Sequence, residues 1–409
     1  MSHAFSSPRG GHEVRLLQGS AELFPALVAA IAGAQREVRL ETYIFDFTGQ
    51  SVEVAQALEQ AAGRGVSVKV VVDGFGTGPM PPQWRERFTR AGVRWRVYAP
   101  LGWLGMLWLG SWRRLHRKLC VVDGQVAFCG GINVLDDLHD PSYGRLSAPR
   151  LDFSVRVTGP LVAEVEASMG RLWLRIQAVH DIRRAQLADA LYSLRASKVG
   201  RVKFKRPAGE PDAPQRAQVR AALVLRDNLR NRTRIERAYR RAIGRAHEEI
   251  IIANAYFAPG RKMRKALVSA AQRGVKVRLL LQGRYEYFMQ FYAARPIYGA
   301  LLRAGVEIHE YSPSFLHAKV AVIDGRWATV GSSNLDPLSL LLAREANVVV
   351  EDVAFAALLR TRLMQAIRQE GHEMSADEYR NRPLRQRIME HVALALMRLA
   401  LAIQGKKYL

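Results

Sequence analysis

The chain has 409 residues, long enough for two domains of ordinary size, and its 49% hydrophobic content is that of a globular protein. No run of about 18 apolar residues is present, so no membrane-spanning helix is predicted. A formal net charge of +24 calls for an anionic partner, either nucleic acid or a membrane rich in acidic lipid.

The chain opens on a polar, Gly/Ser-rich segment, Met1 to His12, without the apolar core of a signal peptide. This predicts a flexible extension over 1–13 and a chain that stays in the cytoplasm. Three short phrases follow that return later: Glu41-Thr42-Tyr43, Gly63-Arg64-Gly65-Val66 with Val68 and Val70, and Arg90-Ala91-Gly92-Val93. Between Tyr98 and His116 lies an insertion, Leu101 to Arg114, that carries Trp103, Trp108 and Trp112 and ends on two arginines. A loop dipping into a membrane interface fits it, since Trp rings favour the headgroup level and Arg meets phosphate. A loop packed against the other domain or a dimer partner fits it too.

Next come His116, Lys118, Asp123, Gly130, Gly131 and Asn133. The apolar run Leu119 to Val122 closes on an Asp-Gly pair and is followed by a second run, Val126 to Cys129. This predicts a hairpin whose ends present His, Lys and Asn together. His116 and Lys118, two apart, project to the same side of their strand. Cys120 and Cys129, the only cysteines, make a poor zinc site and are expected to be buried thiols. Asp152 stands at the start of the next strand. Much of the positive charge then falls in Arg195 to Arg245, beside a Pro/Gly stretch, Pro207 to Pro214, that reads as an interdomain linker. A solvated helix face with a flexible connector explains that charge as well as an anion-binding surface does.

The second half repeats the first. Asn254-Ala255-Tyr256, then Gln272-Arg273-Gly274-Val275 with Val277 and Leu279, then Arg303-Ala304-Gly305-Val306 echo the three earlier phrases. They lead to His317, Lys319, Asp324, Gly331, Ser332 and Asn334 at the spacing of the first motif, with Glu345 in the place of Asp152. Duplication and fusion of one domain account for this. The predicted fold is α/β: two homologous domains, 14–206 and 219–370, joined by a linker over 207–218, each a mixed sheet flanked by helices. One departure stands out, Gly131 against Ser332, so the two half-sites are not equivalent. The tail, 371–409, carries an apolar helix from Ile388 to Ile403, with Arg382, Arg385 and Arg387 ahead of it and Lys406 and Lys407 behind. It is too short to span a bilayer, and either lies in the bilayer surface or caps the second domain.

A duplicated His, Lys and Asn set short of acidic metal ligands suits cleavage of a phosphodiester without metal or other cofactor. One neutral imidazole attacks phosphorus, and a protonated one hands its proton to the departing oxygen. Lysines and side-chain amides hold the phosphoryl oxygens as charge builds. Lys118 and Lys319, leading into apolar strands, are costly to bury without an anionic ligand. Asp123 and Asp324 close strands at Asp-Gly turns, where a structural role competes with a catalytic one.

The paired HxKxxxxD motifs, each followed by a small-residue corner and Asn, resemble the phospholipase D superfamily over roughly residues 14–365. Within that span, Ile252 to Phe257 and Gly331 to Ser339 are similar to bacterial cardiolipin synthases. The resemblance implies two phospholipase D-like domains with the active site at their interface. It implies that His116, Lys118, Asp123, His317, Lys319 and Asp324 are catalytic and that Asn133, Ser332 and Asn334 bind the substrate phosphate. His116 is then the nucleophile, through a phosphohistidine, and His317 the general acid. Asp152 and Glu345 orient the histidines, each serving that of its own half. It further implies phosphatidyl transfer between two phosphatidylglycerol molecules with release of glycerol. The protein would be peripheral, on anionic phospholipid at the cytoplasmic face of the bacterial inner membrane, with Trp103, Trp108 and Trp112 touching the membrane. A phospholipase D-type lipid hydrolase, a metal-independent nuclease and a non-catalytic lipid scaffold are the alternatives. Nucleic acid is not the expected partner, because a nuclease has no need of the Trp-rich insertion, and two intact motifs argue against a scaffold.

Overall fold

The computed structural model describes residues 8–100, 114–183, 219–227, 231–285, 288–336 and 343–403. The predicted linker, 207–218, lies outside them. The first half begins β1 (Arg9–Gln18), α1 (Gly19–Ala32), β2 (Glu37–Thr42), α2 (Ser51–Gly63), β3 (Ser67–Asp73), α3 (Pro82–Ala91) and β4 (Arg94–Tyr98). It continues β5 (Arg114–Leu115), β6 (Lys118–Val122), β7 (Val126–Gly130), β8 (His139–Asp140), β9 (Gly144–Arg145), β10 (Phe153–Thr158) and α4 (Leu161–Arg183). The second half begins β11 (Val219–Arg226), α5 (Arg234–Gly244), β12 (Glu249–Asn254), α6 (Arg261–Gln272), β13 (Lys276–Gln282), α7 (Phe288–Leu302) and β14 (Glu307–Tyr311). It continues β15 (Lys319–Ile323), β16 (Trp327–Gly331), β17 (Ala343–Glu351) and α8 (Val353–Glu370). It ends with β18 (Gly371–Glu373), α9 (Ala376–Arg380) and α10 (Leu384–Ile403).

Across the first half the strands lie in the order β4-β3-β2-β6-β7-β10-β1, and across the second in the order β14-β13-β12-β15-β16-β17-β11. The two orders match strand for strand, which is the duplication expressed in three dimensions. In each half the three outer strands are parallel and the rest antiparallel, so both sheets are mixed. Antiparallel pairing of β1 with β11 joins them into one 16-stranded sheet.

Both chain ends differ from expectation. Strand β1 starts at Arg9, inside the segment predicted to be a flexible extension, because it pairs on one side with β10 and on the other with β11. The tail predicted as a separate unit opens with β18, which adds to the edge of β14. No helix of the described residues is long and apolar enough to cross a membrane.

Side-chain alternation along the motif strands builds the cores. In β6, Leu119 and Val121 enter a core shared by both halves, while Cys120 and Val122 face the outer core under α1 and α2. In β15, Val320 and Val322 face the shared core, and Ala321 and Ile323 face the outer core of the second half. Burial on both faces explains why these strands read as unbroken apolar runs. Helices α4 and α8 contribute Leu161, Val165, Phe355 and Leu359 to the shared core. Both cysteines are buried free thiols, pushed up to about 12 by burial.

The Asp-Gly pairs make the two-residue turns of the β6–β7 and β15–β16 hairpins. Asp123 and Gly124 take φ of 52° and 67°, and Asp324 and Gly325 take 49° and 60°. Two successive left-handed residues define the turn whose twist suits a tight hairpin. Gln125 N–H donates to the Val122 carbonyl at 2.9 Å across the first turn.

Candidate active site

The two motifs meet because each is strapped to a strand of the other half. Strand β5 pairs in parallel with Ala343 and Arg344 of β17, and the His116 N–H donates to the Arg344 carbonyl at 3.1 Å. Reciprocally, Leu151 N–H donates to the Phe315 carbonyl at 3.0 Å, and His317 N–H donates to the Leu151 carbonyl at 2.9 Å.

This exchange crosses the carboxylates. His116 Nδ1 lies 3.1 and 3.2 Å from the two carboxylate oxygens of Glu345, and His317 Nδ1 lies 2.6 Å from Asp152 Oδ2. The expectation that each carboxylate serves its own half is therefore overturned. Residues 114–116 run beside 343–344, so the strand ending at Glu345 presents its side chain to the histidine that arrives from across the interface.

The two pairs hold protons differently. His116 Nδ1 also lies 3.2 Å from the Ser332 carbonyl, so only oxygen acceptors surround it. The proton therefore sits on Nδ1, and Nε2 keeps its lone pair. Burial holds the imidazole below its ordinary pKa even though Glu345 pulls the other way. Burial likewise pushes Glu345 up, but His116, Lys118 and the Ser332 hydroxyl, which donates to it at 2.5 Å, outweigh this and keep it a carboxylate. In the second pair, burial pushes Asp152 up to about 7 against the pull of Lys319 and of the Phe153 N–H. Burial and the two lysines push His317 well below 6.5. At 2.6 Å these two groups are close enough to share a proton and titrate as a unit.

Ser332, expected to bind phosphate, is instead fully buried behind Glu345, where its oxygen also accepts from the Ala346 N–H at 3.1 Å. Its counterpart cannot carry a side chain unless Asp152 moves: a Cβ on Gly131 would come within 2.3 Å of Asp152 Oδ1. The departure between the motifs is thus steric. The longer Glu345 leaves room for a serine, and Asp152 occupies that room itself.

Lys118 Nζ donates to the His116 carbonyl at 2.7 Å, and Lys319 Nζ to that of His317. Burial and the facing Lys319 push Lys118 down to about 7. A phosphate between the two ammonium groups would relieve both costs. Asn133 Oδ1 accepts from Ile44 N–H at 3.1 Å, which turns its NH2 into the end available to an anion, and Asn334 Oδ1 accepts from Tyr256 N–H at 3.4 Å. A cleft of about 230 Å³ reaches His317, Asp152 and Asn133.

Asp123 and Asp324 take no part in this site. Each stands at the far end of its strand, roughly 20 Å from its motif histidine at the usual rise per residue. Asp123 accepts from the N–H groups of Gln35, Arg36 and Glu37, each at 2.8 Å, and Asp324 from those of His247, Glu248 and Glu249 at 2.9 to 3.1 Å. A cavity of about 990 Å³ opens beside Asp324 and Trp327, and its lining includes no histidine or lysine of either motif. The expected catalytic role of these aspartates is thus replaced by a structural one. Trp103, Trp108 and Trp112 lie outside the described residues.

Two site residues escaped the sequence reading. The Tyr43 ring lies 4.9 Å from the His116 ring, with Lys118 Nζ 5.5 Å above it. Its place in the repeated phrases, opposite Tyr256, was the available signal. Arg150 lines the cleft and donates to Asp140 at 2.6 Å and to the Asp136 carbonyl at 2.7 Å. No repeat flags it, because Ala343 holds the matching position.

A family model described as cardiolipin synthase, PLD-like domain, matches residues 27–139 and 239–367. Cardiolipin synthase B of Shigella flexneri and of Escherichia coli K12 are each 37% identical over 355 residues, which cover 87% of this chain and 80% of theirs. Phosphatidylserine synthase of Haemophilus influenzae Rd KW20 superposes with a TM-score of 0.67 at 12% identity, covering 99% of this chain and 98% of that one. Polyphosphate kinase of Porphyromonas gingivalis does so with a TM-score of 0.54 at 14% identity, covering 95% and 53%. At those identities the two structures speak for the fold alone. With the family model matched once in each half, and one motif histidine inside each match, the chain belongs to the cardiolipin synthase family of phospholipase D-like proteins.

Proposed function

We propose that this chain is a phosphatidyltransferase that moves a phosphatidyl group from one phosphatidylglycerol to a hydroxyl of a second, releasing glycerol. The observation that carries this reading is the geometry of the crossed pairs: Glu345 and the Ser332 carbonyl take the proton of His116 Nδ1 and leave its Nε2 free, while His317 Nδ1 lies 2.6 Å from Asp152, close enough for the two to share a proton. His116 Nε2 attacks phosphorus, and the bond from phosphorus to the glycerol oxygen breaks. His317 Nε2 gives its proton to that oxygen while the Asp152 proton moves to Nδ1. Glu345 steadies the positive charge on the phosphorylated imidazole. Lys118, Lys319 and Asn133 hold the phosphoryl oxygens, as preorganised donors do best when water is excluded.

In the second half-reaction, a hydroxyl of the incoming phosphatidylglycerol gives its proton to His317 Nε2, and the Nδ1 proton returns to Asp152. The alcohol oxygen bonds to phosphorus, and the bond to His116 breaks. Both glycerophospholipids belong to a bilayer, so the enzyme works peripherally at a membrane surface, which we place at the cytoplasmic face of the inner membrane. The names of the 37% identical relatives support a lipid substrate.

The test is mass spectrometry of lipid and water-soluble products after incubation of purified protein with phosphatidylglycerol vesicles. Cardiolipin and glycerol in equal amounts are expected. Phosphatidic acid without cardiolipin would mean that water resolves the intermediate, and no product from phosphatidylglycerol would end the reading.

A further inference from the structure

Helix α10 lies along α7, and among the described residues only one of its faces is covered. Ala393 and Met397 are buried against Ala293, with Phe288, Tyr292 and Leu394 packed around them. On the opposite side Leu384, Ile388, Val392, Leu396 and Leu399 are exposed, at 70%, 53%, 44%, 46% and 57%. At 100° per residue these five fall within a third of the helix circumference, an apolar stripe about 20 Å long in which the exposed Arg385 stands at the N-terminal end.

The exposed charges on α10 itself share one sign. Glu390 is the only acid between Leu384 and Ile403, and it is fully buried, 3.3 Å from Arg382 and bonded to Gln386. Arg387 and Arg398 flank the stripe. Burial, Arg398 and Arg261 together lower Arg264 below the usual guanidinium value, which marks three arginines of α6 and α10 as neighbours. Lys262 and Lys265 stand exposed on the same helix, α6.

Helix α7 links this face to the chemistry. Tyr292, packed on α10, has its ring 5.1 Å from Phe291 and 6.2 Å from Tyr285, which is itself half-exposed. The neighbouring Arg284 guanidinium lies 5.1 Å from the Phe315 ring, two residues before His317. A run of aromatic rings therefore leads from the covered side of α10 toward Phe315 at the edge of the site.

We propose that the outer face of α10, with the arginines of α6 beside it, is the surface by which the enzyme lies on an anionic bilayer. Its side chains enter the acyl boundary as its arginines meet lipid phosphates. This deepens the lipid-substrate reading and rests on it. A second copy of the chain is the poorer occupant, because a two-fold contact would set the arginine cluster against itself. For a bilayer, apolar side chains and basic flanks act together.

The test is co-sedimentation of the full chain with vesicles of phosphatidylglycerol and phosphatidylcholine, alone and mixed. Ile388→Glu with Leu399→Glu should lower partition to mixed vesicles about tenfold or more, and turnover on vesicles with it, while turnover of phosphatidylglycerol in mixed micelles stays within about twofold. Arg264→Gln with Arg398→Gln, which leaves the apolar face intact, should weaken binding to phosphatidylglycerol vesicles and not to phosphatidylcholine. Unchanged partition in both variants overturns the proposal, as does a glutamate variant that only shifts the monomer–dimer balance. A partition that falls as expected in a protein inactive on vesicles and micelles alike supports the docking face while removing the transferase reading.

Discussion

The two half-sites carry the same motif on matching strands, yet the carboxylates behind their histidines are pushed in opposite directions. Glu345 receives a hydroxyl from Ser332 and stays ionised, whereas Asp152, with no such donor, is pushed up to about 7 and shares a proton with His317. The cause is one side chain's length. Asp152 lies so close to Gly131 that no serine fits there, while the extra methylene of Glu345 leaves space for Ser332. Duplication supplied two equal imidazoles, and in the mechanism proposed above the residues behind them make one the nucleophile and the other the acid.

The strongest way to break this comparison is to remove either imidazole. His116→Ala and His317→Ala should each lower turnover on phosphatidylglycerol about 10³-fold or more, with circular dichroism unchanged. The crossed pairing then says where an intermediate builds up. Asp152→Asn weakens His317 as the base for the second half-reaction, so with a slow substrate phosphatidyl should accumulate on His116, read by peptide mapping after acid-free quenching. Label on His317 would reverse the two roles.

The corner residues come next. Gly131→Ser must displace Asp152 and should cost about 10²-fold in turnover, whereas Ser332→Gly removes only the donor behind Glu345 and should cost about tenfold. Equal losses would show that the corners do not set the asymmetry.

A pH profile sharpens the same point with a smaller effect. The His317–Asp152 pair must enter the reaction protonated, and Asp152 sits at about 7, so kcat should fall as pH rises above about 7. Burial holds His116 below 6.5, so the acid limb should lie below that value. Lys118, also pushed down to about 7, titrates in the empty site and affects kcat/KM, because bound phosphate restores its charge. An upper limb in kcat that persists unchanged in Asp152→Asn would remove the shared proton from the account.

Much of this was legible in the chain. The identical spacing of His116 to Asn133 and His317 to Asn334 gave both motifs, and the echoed phrases gave the duplication that the matching strand orders express. The crossing of the carboxylates was not legible, because it depends on pairing between residues more than two hundred positions apart: β5 on β17, and Leu151 on Phe315 and His317. Sequence alignment of the halves invites the opposite, local pairing. Ser332 was misread for a related reason, since a hydroxyl beside a phosphate site looks like a ligand until the carboxylate behind it is placed. For α10, periodicity allowed either packing or membrane contact, and the structure gives it one covered face and one exposed apolar face.

The smallest effect on catalysis is expected at the third motif position, where the two halves are alike. Asp123 and Asp324 each receive three backbone N–H groups from the start of the neighbouring antiparallel strand, pinning the hairpin tip to β2 and to β12. Partial burial pushes both carboxyls up, but these bonds outweigh it and hold both below their ordinary value. A depressed carboxyl stabilises the fold fully above its unfolded pKa, and that contribution is lost as pH falls through the folded value. Asp123→Asn and Asp324→Asn should therefore each cost about 1–2 kcal/mol at pH 7 in urea unfolding, with the deficit shrinking toward pH 3, while turnover stays within about threefold. A loss of turnover comparable to that of His317→Ala, with stability intact, would return these aspartates to the active site.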